Sequence, residues 1–215
     1  MKQNVSHLNF EELRMELSAE AGKGYPMFIA GVIFWLVMGI GGFFVPQHIM
    51  VWVYLFGIGL VLPLGILVSK VVHVNFLATH NPLSSIGGLV GGIQIFFAPL
   101  IILVAYQQPD WIPFVVGVLT GAHFLPYAAI YQSKAYFFQT VGTVLTVSLI
   151  GLSWMEYAYL LIPFSLIIVY SITLFWLIKE AKAVKGKWTA QEKNILSQYN
   201  YLKWGSRNDY RNQKY

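Results

Sequence analysis

The chain contains no cysteine, which removes disulfides, thiolate metal sites and cysteine nucleophiles from consideration. Charge is almost as scarce. Only 11% of the 215 residues are charged, against about 25% in an ordinary soluble domain. A chain so poor in charge and 57% apolar has too little polar material to cover a water-facing surface. Catalytic signatures are missing as well: H-E-x-x-H, G-x-S-x-G, phosphate-loop and dinucleotide glycine patterns do not occur. No cofactor and no metal is expected. His73 and His80 have the spacing to share a helix face, but two such ligands with no nearby acid make a weak metal site. The net charge of +5 does not point to nucleic acid, because no globular domain is left to present a basic face.

What the chain does have is six long apolar runs, Pro26–Val45, Ile49–Val68, Ile86–Tyr106, Trp111–Tyr131, Tyr136–Trp154 and Tyr157–Ile178. Each is close to the roughly 20 helical residues needed to cross ~30 Å of hydrocarbon. Lipid supplies no partners for backbone N–H and C=O groups, so helices are required. The runs are too continuously apolar for alternating barrel strands. The expected fold is therefore all-α, a polytopic bundle of six membrane helices. It divides into an amphipathic N-terminal segment (1–24), the transmembrane domain (25–178) and a basic tail (179–215). The first run is not a cleaved leader, because Glu11, Glu12, Glu16 and Glu20 precede it.

Sidedness follows from the basic residues. All 14 lysines and arginines fall before the first run, in the loops after the second and fourth, or after the sixth. The other loops, around Pro46–His48, Gln107–Asp110 and Met155–Glu156, have none. By the positive-inside rule both termini are cytoplasmic. Trp52, Tyr106, Trp111, Trp154, Tyr157 and Tyr159 would mark the outer interface, and Tyr25, Tyr131, Tyr136 and Trp176 the inner one. Asn9 and Glu12 have the spacing of a capping box ahead of the stripe Phe10, Leu13 and Leu17. Gly22, Gly24 and Pro26 would end that helix. Thr189 with Glu192 predicts a second amphipathic helix carrying Ile195, Leu196, Tyr199 and Leu202, suited to anionic inner-leaflet lipids. A solvated tail is the other reading. Val71–His80 reads as a short interfacial helix ended by Asn81-Pro82.

Chemistry inside the slab centres on His123, the one classically ionisable side chain well within a run. Helical spacing sets Thr120, His123, Tyr127 and Tyr131 on one face, continued by Lys134. Gln94 lies at similar depth on the third run, and Gln139, Thr143 and Thr146 share a face of the fifth. A polar site formed by His123, Thr120, Tyr127, Gln94, Thr143 and Thr146 would suit a proton or small solute. Hydrogen-bonded glue between helices is the plainer reading. Gly87/Gly91, Gly88/Gly92 and Gly117/Gly121 are small-xxx-small pairs for close helix packing, and the first two are candidate contacts for a second copy. Pro63, Pro99 and Pro126 predict kinks. Leu62-Pro63 and Leu125-Pro126, each followed by Ser-Lys, suggest duplicated hairpins.

The stretch from Glu12-Leu13-Arg14 through Gly24-Tyr25-Pro26-Met27-Phe28-Ile29-Ala30 to Trp35 resembles the N-terminal region of small bacterial integral-membrane proteins grouped as families of unknown function. That resemblance implies a bacterial cytoplasmic membrane and carries no functional residues with it. The residues themselves favour a small permease or channel over a structural or regulatory protein acting through its amphipathic ends. Basic groups resist translocation, so a reporter fused after Tyr215 is expected to be active only in the cytoplasm. A periplasmic signal would overturn the orientation.

Overall fold

A computed structural model describes the backbone from residue 9 to residue 212 and the side chains from residue 9 to residue 192. Regular structure among the described residues is helical: α1 (Phe10–Glu20), α2 (Tyr25–Phe44), α3 (Gln47–Val71), α4 (Pro82–Gly92), α5 (Ala98–Gln107), α6 (Ile112–Ala122), α7 (Leu125–Ile130), α8 (Lys134–Ser153) and α9 (Ala158–Asn212). They make six stretches long and apolar enough to cross a membrane. Four are the helices α2, α3, α8 and α9. The third and fourth are composite, α4–α5 over Pro82–Gln107 and α6–α7 over Pro109–Ile130.

Local chemistry sets most boundaries. Asn9 and Glu12 form the expected capping box, with Glu12 N–H donating to Asn9 Oδ1 at 3.0 Å and Asn9 N–H to Glu12 Oε2 at 2.9 Å. The chain then turns through Gly22, Lys23 and Gly24, all at positive φ, where glycine adopts the left-handed region freely and lysine does so only under constraint. The turn folds α1 back against one end of the bundle, burying Leu17 and Ala21. No helix forms between Val72 and Asn81; the segment runs through turns, with positive φ at His73 and Ala78. Asn81 ends it by capping α4: its Oδ1 accepts from Leu83 N–H at 3.0 Å while its Nδ2 donates to Leu13 O at 2.7 Å. The third span thus starts at Pro82 rather than Ile86. Thr189 caps nothing, because α9 is already helical there and its hydroxyl donates back to Lys185 O at 2.9 Å. The side chains of Ile195, Leu196, Tyr199 and Leu202 lie outside the described residues.

Alternation of the loops is visible in the contacts. Gln47 bonds to Asp110 and Tyr159 donates to Pro109 O at one end. Lys23, Tyr131 and Glu180 meet at the other. Between the ends the usual burial pattern is inverted: Phe96, Leu89 and Leu152 are among the most exposed residues, whereas Gln139, Thr143 and Thr173 are fully buried. An apolar outside with polar groups turned in is what lipid selects.

The core is aromatic. Trp35, 1% exposed, packs edge-on against Phe34, Tyr54 and Tyr170. Phe28 joins it to Phe124, Tyr136 and Tyr170. Close approach of α2 and α9 depends on Gly31, where an added Cβ would fall 2.5 Å from the Tyr170 ring. Gly117 and Gly121 do the same for α6 and α8, against Val147 and Thr143. Gly31→Ala is therefore expected to destabilise by about 1–3 kcal/mol, the usual cost of overpacking. Its melt in detergent should shift down by several degrees, while Gly88→Ala, with nothing within 4 Å of the new Cβ, should melt like the parent. Equal melts for both would contradict the α2–α9 packing.

Candidate functional site

Two helices are broken where they face each other, and proline explains both breaks. Pro99 has no N–H for the carbonyl of Ile95 and its ring crowds that group; the chain tightens into a 3-10 turn over Ile93–Phe97. Pro126 does the same to Ala122, and the helix opens at His123 and Phe124 before resuming at Leu125. Phe124 N–H turns to Gly121 O at 3.3 Å, leaving Thr120 O without its helical donor. Pro63 and Pro163, by contrast, sit inside continuous helices. The hairpin parallel between Leu62-Pro63 and Leu125-Pro126 therefore does not extend to the helix break.

His123 fills the gap in the fourth span. Its Nδ1 is 2.6 Å from Thr120 O and 3.0 Å from the Gln94 side-chain amide nitrogen. A carbonyl only accepts, so Nδ1 must carry the proton to bond Thr120 O. The Gln94 amide is then satisfied with its oxygen turned toward Nδ1, an assignment made from the network and not from visible hydrogens. Nε2 is left as a lone-pair acceptor. Thr120 Oγ1 lies buried with no partner. Phe124 covers the imidazole, with ring centroids 4.1 Å apart. Gln94, His123 and Thr120 are thus brought together, with two hydrogen-bonding atoms uncommitted.

Tyr127 extends the site toward the basic end. Its hydroxyl donates to Gly87 O at 2.7 Å, and Gly91 supplies the room for it. Its ring stacks on Tyr131 and Tyr136, whose centroids are 5.6 Å apart. Tyr131 and Tyr136 therefore belong to the interior, not to an interfacial belt, and both are buried. Trp52, Tyr106, Trp111, Trp154 and Tyr157 are exposed near their span ends as a belt requires.

Beyond the stack lies a feature whose partners the sequence does not reveal. Lys23, read there only as a basic residue on one side, is buried: Nζ donates to Glu180 Oε2 at 2.8 Å and to Tyr131 O at 3.0 Å. Tyr136 donates to Lys23 O at 2.8 Å. The positive φ of Lys23 was the only local hint, through its flanking glycines.

Thr143 and Thr146 do not join His123. Thr143 Oγ1 accepts from Gln139 Nε2 at 3.0 Å, and Thr173 donates to Gln139 Oε1 at 2.7 Å. This clamp ties α8 to α9, and helical periodicity within α8 gave no sign of Thr173 as its partner. Thr146 is half-buried and makes no side-chain hydrogen bond among the described residues. His80 also departs from expectation: acids do lie beside it, Glu16 and Glu20 of α1, while His73 is not in that group.

Residues 10–180 match the model of a family of unknown function, DUF7010, and the chain belongs to that family. No curated protein and no solved structure matches it.

The ion pair joins the start of the first span to the end of the last, with the side chains of Lys23 and Glu180 6% and 21% exposed. Removing one partner of a buried pair strands the other, at a cost on the order of 3 kcal/mol. Lys23→Met should lower the melting temperature clearly, and adding Glu180→Leu should recover much of the loss. A Lys23→Met protein that melts like the parent would show that the pair does not hold these ends together.

Proposed function

We propose that this member of the family is a small permease or channel-like protein that passes a small polar solute or a proton along an interior route through His123 and Gln94. The observation that carries this reading is the pair of facing helix breaks in the third and fourth spans. Lipid tolerates interrupted backbone only where protein or an enclosed cavity satisfies it. Interrupted helices crossing near mid-membrane are the usual way to build a solute site there. At this one His123 Nε2 and Thr120 Oγ1 are free to bond a visitor.

The route would run from His123 past Tyr127 to the stack of Tyr127, Tyr131 and Tyr136, and would be shut at the basic end by Lys23–Glu180. The conformation described is then one closed toward that end. The proposed setting is a bacterial cytoplasmic membrane with both termini inside, and exposed Lys182 and Lys185 on α9 suit anionic lipid headgroups.

The rival reading is a structural or regulatory protein acting through its amphipathic ends. It keeps only part of one of them, because Leu17 of the α1 stripe is buried on the bundle and Leu13 is half-buried, while Phe10 stays exposed.

The absence of native cysteine makes the test direct. Single cysteines at Gln94, Thr120, His123 and Tyr127 are expected to react with a small water-soluble thiol reagent in membranes. A cysteine at Thr143, in the closed Gln139–Thr173 clamp, should stay protected. Releasing the inner closure with Lys23→Met should raise labelling at Tyr127 first. Protection at Gln94, Thr120, His123 and Tyr127 in both backgrounds would reject the route and leave the polar groups as packing.

A further inference from the structure

At the basic end of the bundle, away from His123, three side chains from two distant segments converge. Glu16 and Glu20 stand one turn apart on α1, and His80 comes from the loop between α3 and α4. One ligating atom from each lies within 4.8 Å of the others. The two carboxylates are held alike. Asn81 Nδ2 donates to Glu16 Oε2 at 2.9 Å and Asn75 Nδ2 to Glu20 Oε2 at 3.1 Å. Each glutamate thereby keeps its second oxygen, Oε1, turned toward His80 Nε2, at 3.6 Å for Glu16 and 3.3 Å for Glu20.

Those distances are too long for the imidazole to be serving as a simple bridge. A charge-assisted N–H···O bond would close to about 2.7–2.9 Å, and neither contact is a hydrogen bond. They do match another arrangement. At bonds of about 2.0–2.2 Å, ligands at the corners of a tetrahedron stand about 3.3–3.6 Å apart. The two separations from His80 Nε2 are of that size, and one carboxylate oxygen of each glutamate lies within 4.8 Å of the other.

Charge and burial call for a cation there. The Glu16 side chain is 8% exposed, and its Oε1 accepts no hydrogen bond although it is aimed into the cluster. Neighbouring basic groups are committed elsewhere, Arg14 to Glu11 at 2.9 Å and Lys23 to Glu180 at 2.8 Å. Among the described residues no lysine or arginine reaches either glutamate. Two carboxylates one turn apart on a helix repel each other.

We propose that Glu16, Glu20 and His80 form a binding site for one divalent transition-metal ion of the Zn²⁺ class. One imidazole nitrogen and two carboxylate oxygens suit a borderline ion, and His80, 36% exposed, leaves a side open for entry and for a water as fourth ligand. Asn75 and Asn81 orient the carboxylates in the way outer partners orient metal ligands. The bound ion clamps α1 to the loop that precedes the third span, so it sets how firmly the N-terminal helix is held on the bundle. The site stands on its own geometry and does not depend on a route through His123.

Full-length protein in detergent, stripped with chelator, can be titrated with Zn²⁺ by calorimetry and with Co²⁺ by absorption. The expected result is one ion per chain, a Co²⁺ spectrum of tetrahedral nitrogen–oxygen type, and a melting temperature that rises on adding Zn²⁺ and falls back with chelator. His80→Ala and Glu20→Gln, both at partly exposed positions, should abolish that binding. His73→Ala should leave it intact, and Asn75→Ala should weaken it by about tenfold or more. Stoichiometry and affinity unchanged in His80→Ala would overturn the proposal. So would the absence of saturable binding by a parent protein that melts cooperatively.

Discussion

In a hydrocarbon slab, a backbone carbonyl that loses its helical donor must find another within the protein. In this structure side chains reach main-chain carbonyls both at such a break and elsewhere along the bundle. The His123 ring answers Thr120 O at the break made by Pro126. Tyr127 reaches Gly87 O from the fourth span to the third, and Tyr136 reaches Lys23 O from the fifth to the first. Lys23 answers Tyr131 O, Asn81 answers Leu13 O, and Tyr159 answers Pro109 O. Every one of these bonds except the first joins segments far apart in the chain. Side chains bonded to main-chain carbonyls thus stitch the bundle together.

Proline at 99 and 126 weakens two spans, and the polar side chains that repair the damage are the ones that give the interior its chemistry. The two polar clusters of the interior differ in how their atoms are paired. Gln139 has Thr143 on its nitrogen and Thr173 on its oxygen, so both ends of the amide are engaged. At His123 the ring nitrogen Nε2 and the Thr120 hydroxyl stay uncommitted.

The basic end has a different logic. There the chain leaves lipid, and charges can be used if they are paired. Lys23 and Glu180 bind the first span to the last, and the polar surface of α1 lies against the loop that carries His80, with Asn75 and Asn81 as go-betweens. The N-terminal helix is thus part of the bundle's closure, and what holds it there is electrostatic as well as apolar.

Span number, the alternation of loops with and without basic residues, the Asn9–Glu12 cap and the glycine turn were all legible in the chain. They depend on local properties: run length, charge, and backbone freedom over a few residues. The stripe Thr120, His123 and Tyr127 was legible for the same reason, since a helix repeats within itself. What periodicity cannot say is which face of one helix meets which face of another. Hence Thr143 and Thr146 looked like partners of His123, yet Thr143 bonds Gln139, which Thr173 of α9 holds from the other side. Equally, Lys23 read only as a basic residue on one side, and His80 as a histidine without acids. Those pairings join residues far apart along the chain, and only the packing of the helices, governed by glycine-sized gaps and proline breaks, decides them.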